Sequence, residues 1–155
     1  MKFWSLFLLT LVGLGSFSCD EDGTQPSSYP TIEQYLEIHN ITEYESTASG
    51  LIYIIAQEGT GEFPKVGQTV TVHYTGYHLD DTKFDSSYDY GQAFAFNLGA
   101  GEVIKGWDEG IALFKKGGSG TLLIPYELAY GDRGSSGSIA PKEDIKFDIN
   151  LIAID

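Results

Sequence analysis

Seven aromatic side chains hold most of the chemical interest of this chain: Tyr74, Phe84, Phe94, Phe96, Trp107, Tyr130 and Phe147. They fall across every predicted element, as the residues of a large aromatic core would. Two features ask for more than core. Trp and Tyr bring polar ends that need partners when buried. Tyr130 also lies in a glycine-rich irregular stretch, and Phe84 adjoins the acid Asp85. An apolar concave site with a few polar groups suits such a set. The usual reactive constellations are missing. No cysteine follows Cys19, and no G-x-S-x-G elbow, Ser-His-Asp signal, phosphate loop or dinucleotide fingerprint occurs. His73 and His78 stand on one predicted strand at an odd spacing, which sends them to opposite faces. His39 belongs to a predicted helix and is expected to be partly exposed. A metal site is therefore not expected. The carboxylates are scattered, with no pair placed for acid–base work.

The elements that must position these residues follow from sequence periodicity. TIEQYLEIHNIT (31–42) has Ile32, Tyr35, Leu36 and His39 at helical spacing, with Thr31 as cap after Pro30. From Ser49 the period drops to two. LIYIIA (51–56) reads as a strand and GTGEFPKVGQ (59–68) as a turn-rich connection. In TVTVHYTGYHL (69–79), Val70, Val72 and Tyr74 face one way and Thr71, His73 and Thr75 the other. DDTK (80–83) is a turn, KFDSS (83–87) a return to a sheet, and AFAFNL (93–98) a strand bringing Phe94, Phe96 and Leu98 together. A short helix is expected from about Ile104 to Phe114, then a strand, GTLLIP (120–125), ending at Pro125. Residues 126–144 hold too many breakers for regular structure and predict a long loop, a place where function concentrates. IKFDINLIAID (145–155) closes the chain with Ile145, Phe147, Ile149 and Leu151 on one face. The expected class is α+β: about five antiparallel strands wrapped against one short central helix, plus a short N-terminal helix.

Net charge is −13, which argues against nucleic acid and against electrostatic docking on anionic lipid. A single cysteine excludes a disulfide within the chain and a cysteine-based zinc site. Residues 1–18 have the layout of a signal peptide: Lys2 as the only charge, an apolar run from Phe3 to about Leu14, then Gly15, Ser16 and Ser18. The run is shorter than the ~20 residues a membrane span needs. Cys19 stands where a bacterial lipoprotein signal places its lipidated cysteine. Ser16 replaces the usual leucine, as in the looser signals of Bacteroidetes, which this segment resembles. The alternative is a signal peptide cut near a bystander cysteine. DEDGTQPSS (20–28) reads as a tether. The organisation expected is a signal over 1–18, an acidic tether and short helix over 19–48, and one domain over 49–155. The expected location is the cell envelope, lipid-anchored to the outer membrane and facing periplasm or surface.

Taken together, VHYTGY, KFDSS, F-x-F-x-LG, EVIKGWDEGI, LAYG and the closing IKFDINLI resemble the FKBP-type peptidyl-prolyl cis–trans isomerases, in order and with family spacing, over residues 49–155. The resemblance implies a five-stranded antiparallel sheet around a short helix, and a non-covalent pocket for proline. Position by position, it implies Tyr74, Phe84, Asp85, Phe94 and Phe147 on the walls, with Phe96 as support. Val103 and Ile104 fall at the rim, where the Ile104 N–H binds a substrate carbonyl. Trp107 lies beneath the proline ring, with Lys105 and Asp108 on the outward solvent face, and Ile139 over the pocket. The Tyr130 hydroxyl donates to a substrate carbonyl. Asp85 and Tyr130 are the implied catalytic pair, and no cofactor is implied. Four positions depart from the family pattern. Tyr90 stands where some members pair an arginine with the acid, Ser135 where some have histidine, and Lys105 where some have arginine. Ala140 replaces the first of two consecutive prolines.

The function expected is a prolyl isomerase that assists the folding of exported proteins. Its partners would be proline-containing unfolded or exported polypeptides and FK506-like macrolides, with a lipid anchor in the membrane. The alternative is a binding module that holds clients in the same pocket without turnover.

Overall fold

The computed structural model describes residues 28–155. The signal peptide, Cys19 and the tether up to residue 27 lie outside the described residues. Seven strands form one antiparallel sheet: β1 (Glu45–Ser46), β2 (Ile52–Gln57), β3 (Thr69–His78), β4 (Lys83–Ser86), β5 (Phe94–Asn97), β6 (Ser119–Ile124) and β7 (Ile145–Ile154). Their order is β1-β2-β6-β7-β3-β4, with β5 also on β3. β4 pairs with residues 75–77 of β3 and β5 with residues 69–72, so the two are halves of one edge row interrupted by residues 87–93. The sheet is thus the expected five rows, with the two-residue β1 added beside β2.

Strand alternation sorts side chains onto the two faces of this sheet. Leu122 and Ile124 of β6 lie in the main core with Val70, Val72, Phe147 and Ile149. Leu123, between them in sequence, lies in a second cluster with Ile32, Tyr35, Leu36, Ile52 and Leu79. In β7 the expected face of Ile145, Phe147, Ile149 and Leu151 is buried throughout. It stays in phase with β3 at its far end because a bulge there leaves Ile152 without a partner.

The central helix α2 (Lys105–Gly110) is shorter than expected and tightens into a 3₁₀ turn over Ile111–Leu113. Side chains three apart nearly eclipse in such a turn, and this brings both Ile111 and Phe114 into the core. Close approach of α2 to β6 explains its glycines. A Cβ on Gly106 would stand 2.4 Å from Ile124 Cγ2, and one on Gly110 2.7 Å from Leu122 Cδ1.

The N-terminal helix α1 (Ile32–Ile38) starts where its sequence predicts, with Thr31 and Gln34 in a reciprocal capping box, but it ends earlier than expected, at His39 as its C-cap. It covers the opposite face of the sheet from α2, through Ile32, Tyr35 and Leu36. A polar seam reinforces that contact. Lys146 Nζ donates to Tyr35 Oη at 2.9 Å and to Asp81, and lies 4.6 Å from the centre of the Tyr77 ring. Asp144 accepts from the Ile32 N–H at 3.2 Å and the Tyr126 N–H at 3.0 Å, joining α1 to the long 126–144 segment. That segment is more ordered than its composition predicts. It contains 3₁₀ turns at Tyr126–Leu128 and Gly131–Arg133 and a bridge between Ser135 and Ile139.

Candidate active site

A cavity of about 420 Å³ opens where α2, β3, β4, β5, β7 and the 126–144 segment converge. β3 supplies Tyr74, in phase with the buried Val72, and β7 supplies Phe147. β4 contributes Asp85 and β5 begins with Phe94. Trp107, in the first turn of α2, lines the cavity while remaining 95% buried, at 5% exposure. Its indole is 5.0 Å from Tyr74 and 5.1 Å from Phe147, both edge-on, and 5.9 Å from Phe94. Edge-to-face packing of this kind sets the rings as fixed walls. Tyr130 enters from between the two 3₁₀ turns.

The turn before α2 brings Glu102, Val103 and Ile104 to the cavity. Two carboxylates hold it. Asp108 accepts from the N–H groups of Gly99 at 2.8 Å and Gly101 at 3.0 Å. The expected place of Asp108 on an outward solvent face is therefore corrected: it is half-buried and ties down the 99–101 turn. Glu102 accepts from Asn97 N at 3.0 Å and Nδ2 at 2.9 Å, and these bonds hold its carboxyl below the usual range.

Polar groups in the cavity divide into satisfied and free. Tyr74 donates its hydroxyl to Asp85 at 2.7 Å, and the other Asp85 oxygen accepts from the Ser86 N–H at 2.9 Å. The Asp85 charge raises the Tyr90 phenol, so a neutral hydroxyl stands near the acid at the position where the resemblance marks an arginine. Burial, then Asp85, pushes the Tyr74 phenol well above its ordinary range. Burial and the Asp85 charge do the same to Tyr130. Both therefore stay neutral O–H donors across ordinary pH. Among the described residues the Tyr130 hydroxyl and the Ile104 N–H have no hydrogen-bond partner, and neither has the buried Trp107 Nε1–H.

Eight of the ten expected pocket residues line the cavity: Tyr74, Asp85, Phe94, Val103, Ile104, Trp107, Tyr130 and Phe147. Phe84 and Ile139 do not. Phe84 stands behind the wall with its ring edge-on to Phe147 at 5.5 Å, because β4 turns it toward His78 rather than the opening. Ile139 packs into the main core at 5% exposure, drawn in by the Ser135–Ile139 bridge. Phe96 supports Phe94 from below, 5.9 Å away. Glu102 lines the cavity without having been expected there, although its place next to Val103 was a usable signal.

The histidines are occupied elsewhere. His73 pairs with Ser87 Oγ at 2.9 Å and stacks on Tyr88, while His78, on the other face, pairs with the buried Glu143. His39 is exposed and pairs with Asp81 at 3.3 Å. Among the described residues no three His, Cys, Asp or Glu side chains converge on a possible metal position. None of the described helices is long and apolar enough to cross a membrane.

Comparison with known proteins places this geometry in context. Residues 60–152 match the family model described as FKBP-type peptidyl-prolyl cis-trans isomerase. FK506-binding protein 1 of Dictyostelium discoideum is 48% identical over 103 residues, covering 66% of this chain and 96% of that protein. Peptidyl-prolyl cis-trans isomerase Fkbp12 of Drosophila melanogaster is 46% identical over 101 residues, covering 65% and 94%. Among solved structures, AtFKBP13 superposes with a TM-score of 0.70 at 40% identity, over 73% of this chain and 99% of that one.

Proposed function

The chain belongs to the FKBP-type peptidyl-prolyl cis–trans isomerases, and from that premise we propose that the aromatic cavity is its proline site and that its substrates are exported polypeptides. One observation carries this reading. Eight expected residues meet in a single cavity in which two hydrogen-bond donors, the Tyr130 hydroxyl and the Ile104 N–H, have no partner among the described residues.

The chemistry needs no bond to the protein. Rotation about an X–Pro bond crosses a barrier of ~18–20 kcal/mol because twisting breaks amide resonance. The planar amide is the more polarised form, so an apolar enclosure disfavours it relative to the twisted one. Tyr74, Phe94, Trp107 and Phe147 form that enclosure around the proline ring. The free donors of Tyr130 and Ile104 hold the flanking carbonyls, and Asp85 keeps Tyr74 in place. Binding that is stronger at the twisted state than at either planar state is what lowers the barrier.

The expected lipid anchor at Cys19 belongs to the same proposal. Two or three acyl chains would hold the domain stably at a membrane, where newly exported chains present uncatalysed proline bonds. FK506-like macrolides are proposed as ligands of the same cavity, with affinity modified by Tyr90 and Ser135. The test is a prolyl isomerisation assay on the wild type and on Trp107→Ala, with mass spectrometry of the mature N-terminus for the anchor. Holding of proline peptides without faster isomerisation would instead support the binding-module alternative.

A further inference from the structure

A buried polar chain behind the cavity has no part in the mechanism above. Glu143 is 1% exposed, an unusual place for a carboxylate. One of its oxygens is paired with His78 Nδ1, and the other accepts from the Ala140 N–H at 2.6 Å. His78 is 5% exposed and is enclosed by Tyr29, stacked at 4.3 Å, and by Phe84, edge-on at 5.2 Å. Next to Glu143, the Lys142 N–H donates to the Gly131 carbonyl at 3.1 Å. Gly131 follows Tyr130 directly.

The residue types make sense together. Position 140 precedes Pro141, which already favours extended backbone there. A proline at 140 would fix its own φ and would have no N–H to satisfy. Alanine leaves both a looser backbone and a free donor, and Glu143 takes that donor. A buried carboxylate anchored on β3 through His78 thus does for the 135–142 segment what a second ring would do.

We infer that Glu143 is a positioning residue for prolyl isomerisation: with His78 it holds the Ala140 N–H and, through the Lys142–Gly131 bond, sets the placement of the Tyr130 hydroxyl. The inference rests on the cavity being the isomerase site. It adds that the loop carrying Tyr130 is anchored on β3, across 65 residues of sequence between His78 and Glu143.

The test is a set of variants assayed for kcat/KM on a proline tetrapeptide, with folding checked by circular dichroism. Glu143→Ala should lower kcat/KM several-fold, as far as Tyr130→Phe does and no further, because a misplaced hydroxyl cannot cost more than a deleted one. Glu143→Gln keeps an oxygen for the Ala140 N–H and should stay within about twofold of wild type. In a Tyr130→Phe background, Glu143→Ala should have little further effect, because the two act through one hydroxyl. Should Glu143→Ala fail to fold, Glu143→Asp keeps the charge but shortens the reach, and should lose activity in the same direction. Folded Glu143→Ala or Glu143→Asp protein within twofold of wild type would overturn the inference. So would losses from Glu143→Ala and Tyr130→Phe that simply multiply. If the wild type itself left isomerisation unaccelerated, the cavity reading would fail separately. The positioning claim would then be read from amide exchange. Ala140 and Lys142 should lose protection in Glu143→Ala and keep it in Glu143→Gln, and unchanged protection in both would overturn it.

Discussion

Replacing Trp107 separates the packing role of its rings from the role of its free N–H. The indole touches four aromatic rings at 5.0–5.9 Å, from Tyr74, Phe94, Phe96 and Phe147. Each such contact is worth about 0.5–1.5 kcal/mol beyond burial, and truncating a buried Trp to Ala costs about 3–5 kcal/mol in all. Trp107→Ala should therefore lower Tm by about 10 °C or more and remove most isomerase activity. Trp107→Phe is the informative partner. It keeps a ring against the same neighbours and removes an N–H that is buried without an acceptor among the described residues. Leaving a buried donor unsatisfied costs about 1–3 kcal/mol, so deleting it returns part of what the smaller ring loses. Trp107→Phe should thus fall within about 1–2 kcal/mol of wild type, as the two effects offset. Urea denaturation of the three proteins measures this. A Phe variant destabilised by about as much as the Ala variant would mean that the N–H is bonded inside the protein, and the reasoning would fail.

Other expectations follow from the same geometry. Tyr130→Phe should reduce kcat/KM several-fold with Tm unchanged, since the hydroxyl has no partner among the described residues and little charge develops during rotation; a protease-coupled assay reads this. Burial raises the phenols of Tyr35, Tyr74 and Tyr130 above the unfolded value. The stability tied to their neutral forms is complete below about pH 10 and lost as pH rises beyond it, so Tm should fall steeply only in strong alkali. Tyr74→Phe should make that fall shallower. Lys146→Met removes the ammonium that joins Tyr35 to Asp81. It should cost about 1–3 kcal/mol and expose α1 amides to exchange, with isomerisation unchanged because α1 lies on the opposite face from the cavity. Gly106→Ala drives a methyl to within 2.4 Å of Ile124. It should cost about 1–3 kcal/mol by thermal melt.

How much of this could be read from the sequence depends on the kind of signal involved. The period-two strands and the helical spacing of Ile32, Tyr35 and Leu36 gave the elements, because burial on one face leaves a periodic trace. The aromatic set and its motif spacing led to the cavity, and eight of its ten expected members line it. Side chains that act by hydrogen bonding across the fold leave no such trace. Asp108 looked like solvent-facing polarity, yet it closes the 99–101 turn. Lys146 interrupts an apolar strand and only makes sense beside Tyr35, 111 residues away. Glu143 sits in a stretch of loop composition, and nothing in the sequence pairs it with His78, 65 residues away. Phe84 and Ile139 were expected on the cavity surface, but the Phe84 ring packs on His78 and Phe147, and the Ser135–Ile139 bridge holds Ile139 in the core. The irregular reading of residues 126–144 overlooked two 3₁₀ turns, which are too short to carry a periodic pattern.

Exchange spectroscopy on a proline tetrapeptide with substoichiometric protein decides whether this cavity isomerises proline bonds. With wild-type protein, cis and trans signals should interconvert far faster than the uncatalysed tens to hundreds of seconds. The peptide should shift the resonances of the Trp107 indole and the Ile104 amide, and Trp107→Ala should return exchange close to the uncatalysed rate. Folded wild-type protein that leaves the exchange uncatalysed, or a Trp107→Ala variant that exchanges the peptide as fast as wild type, would contradict the assignment of the cavity.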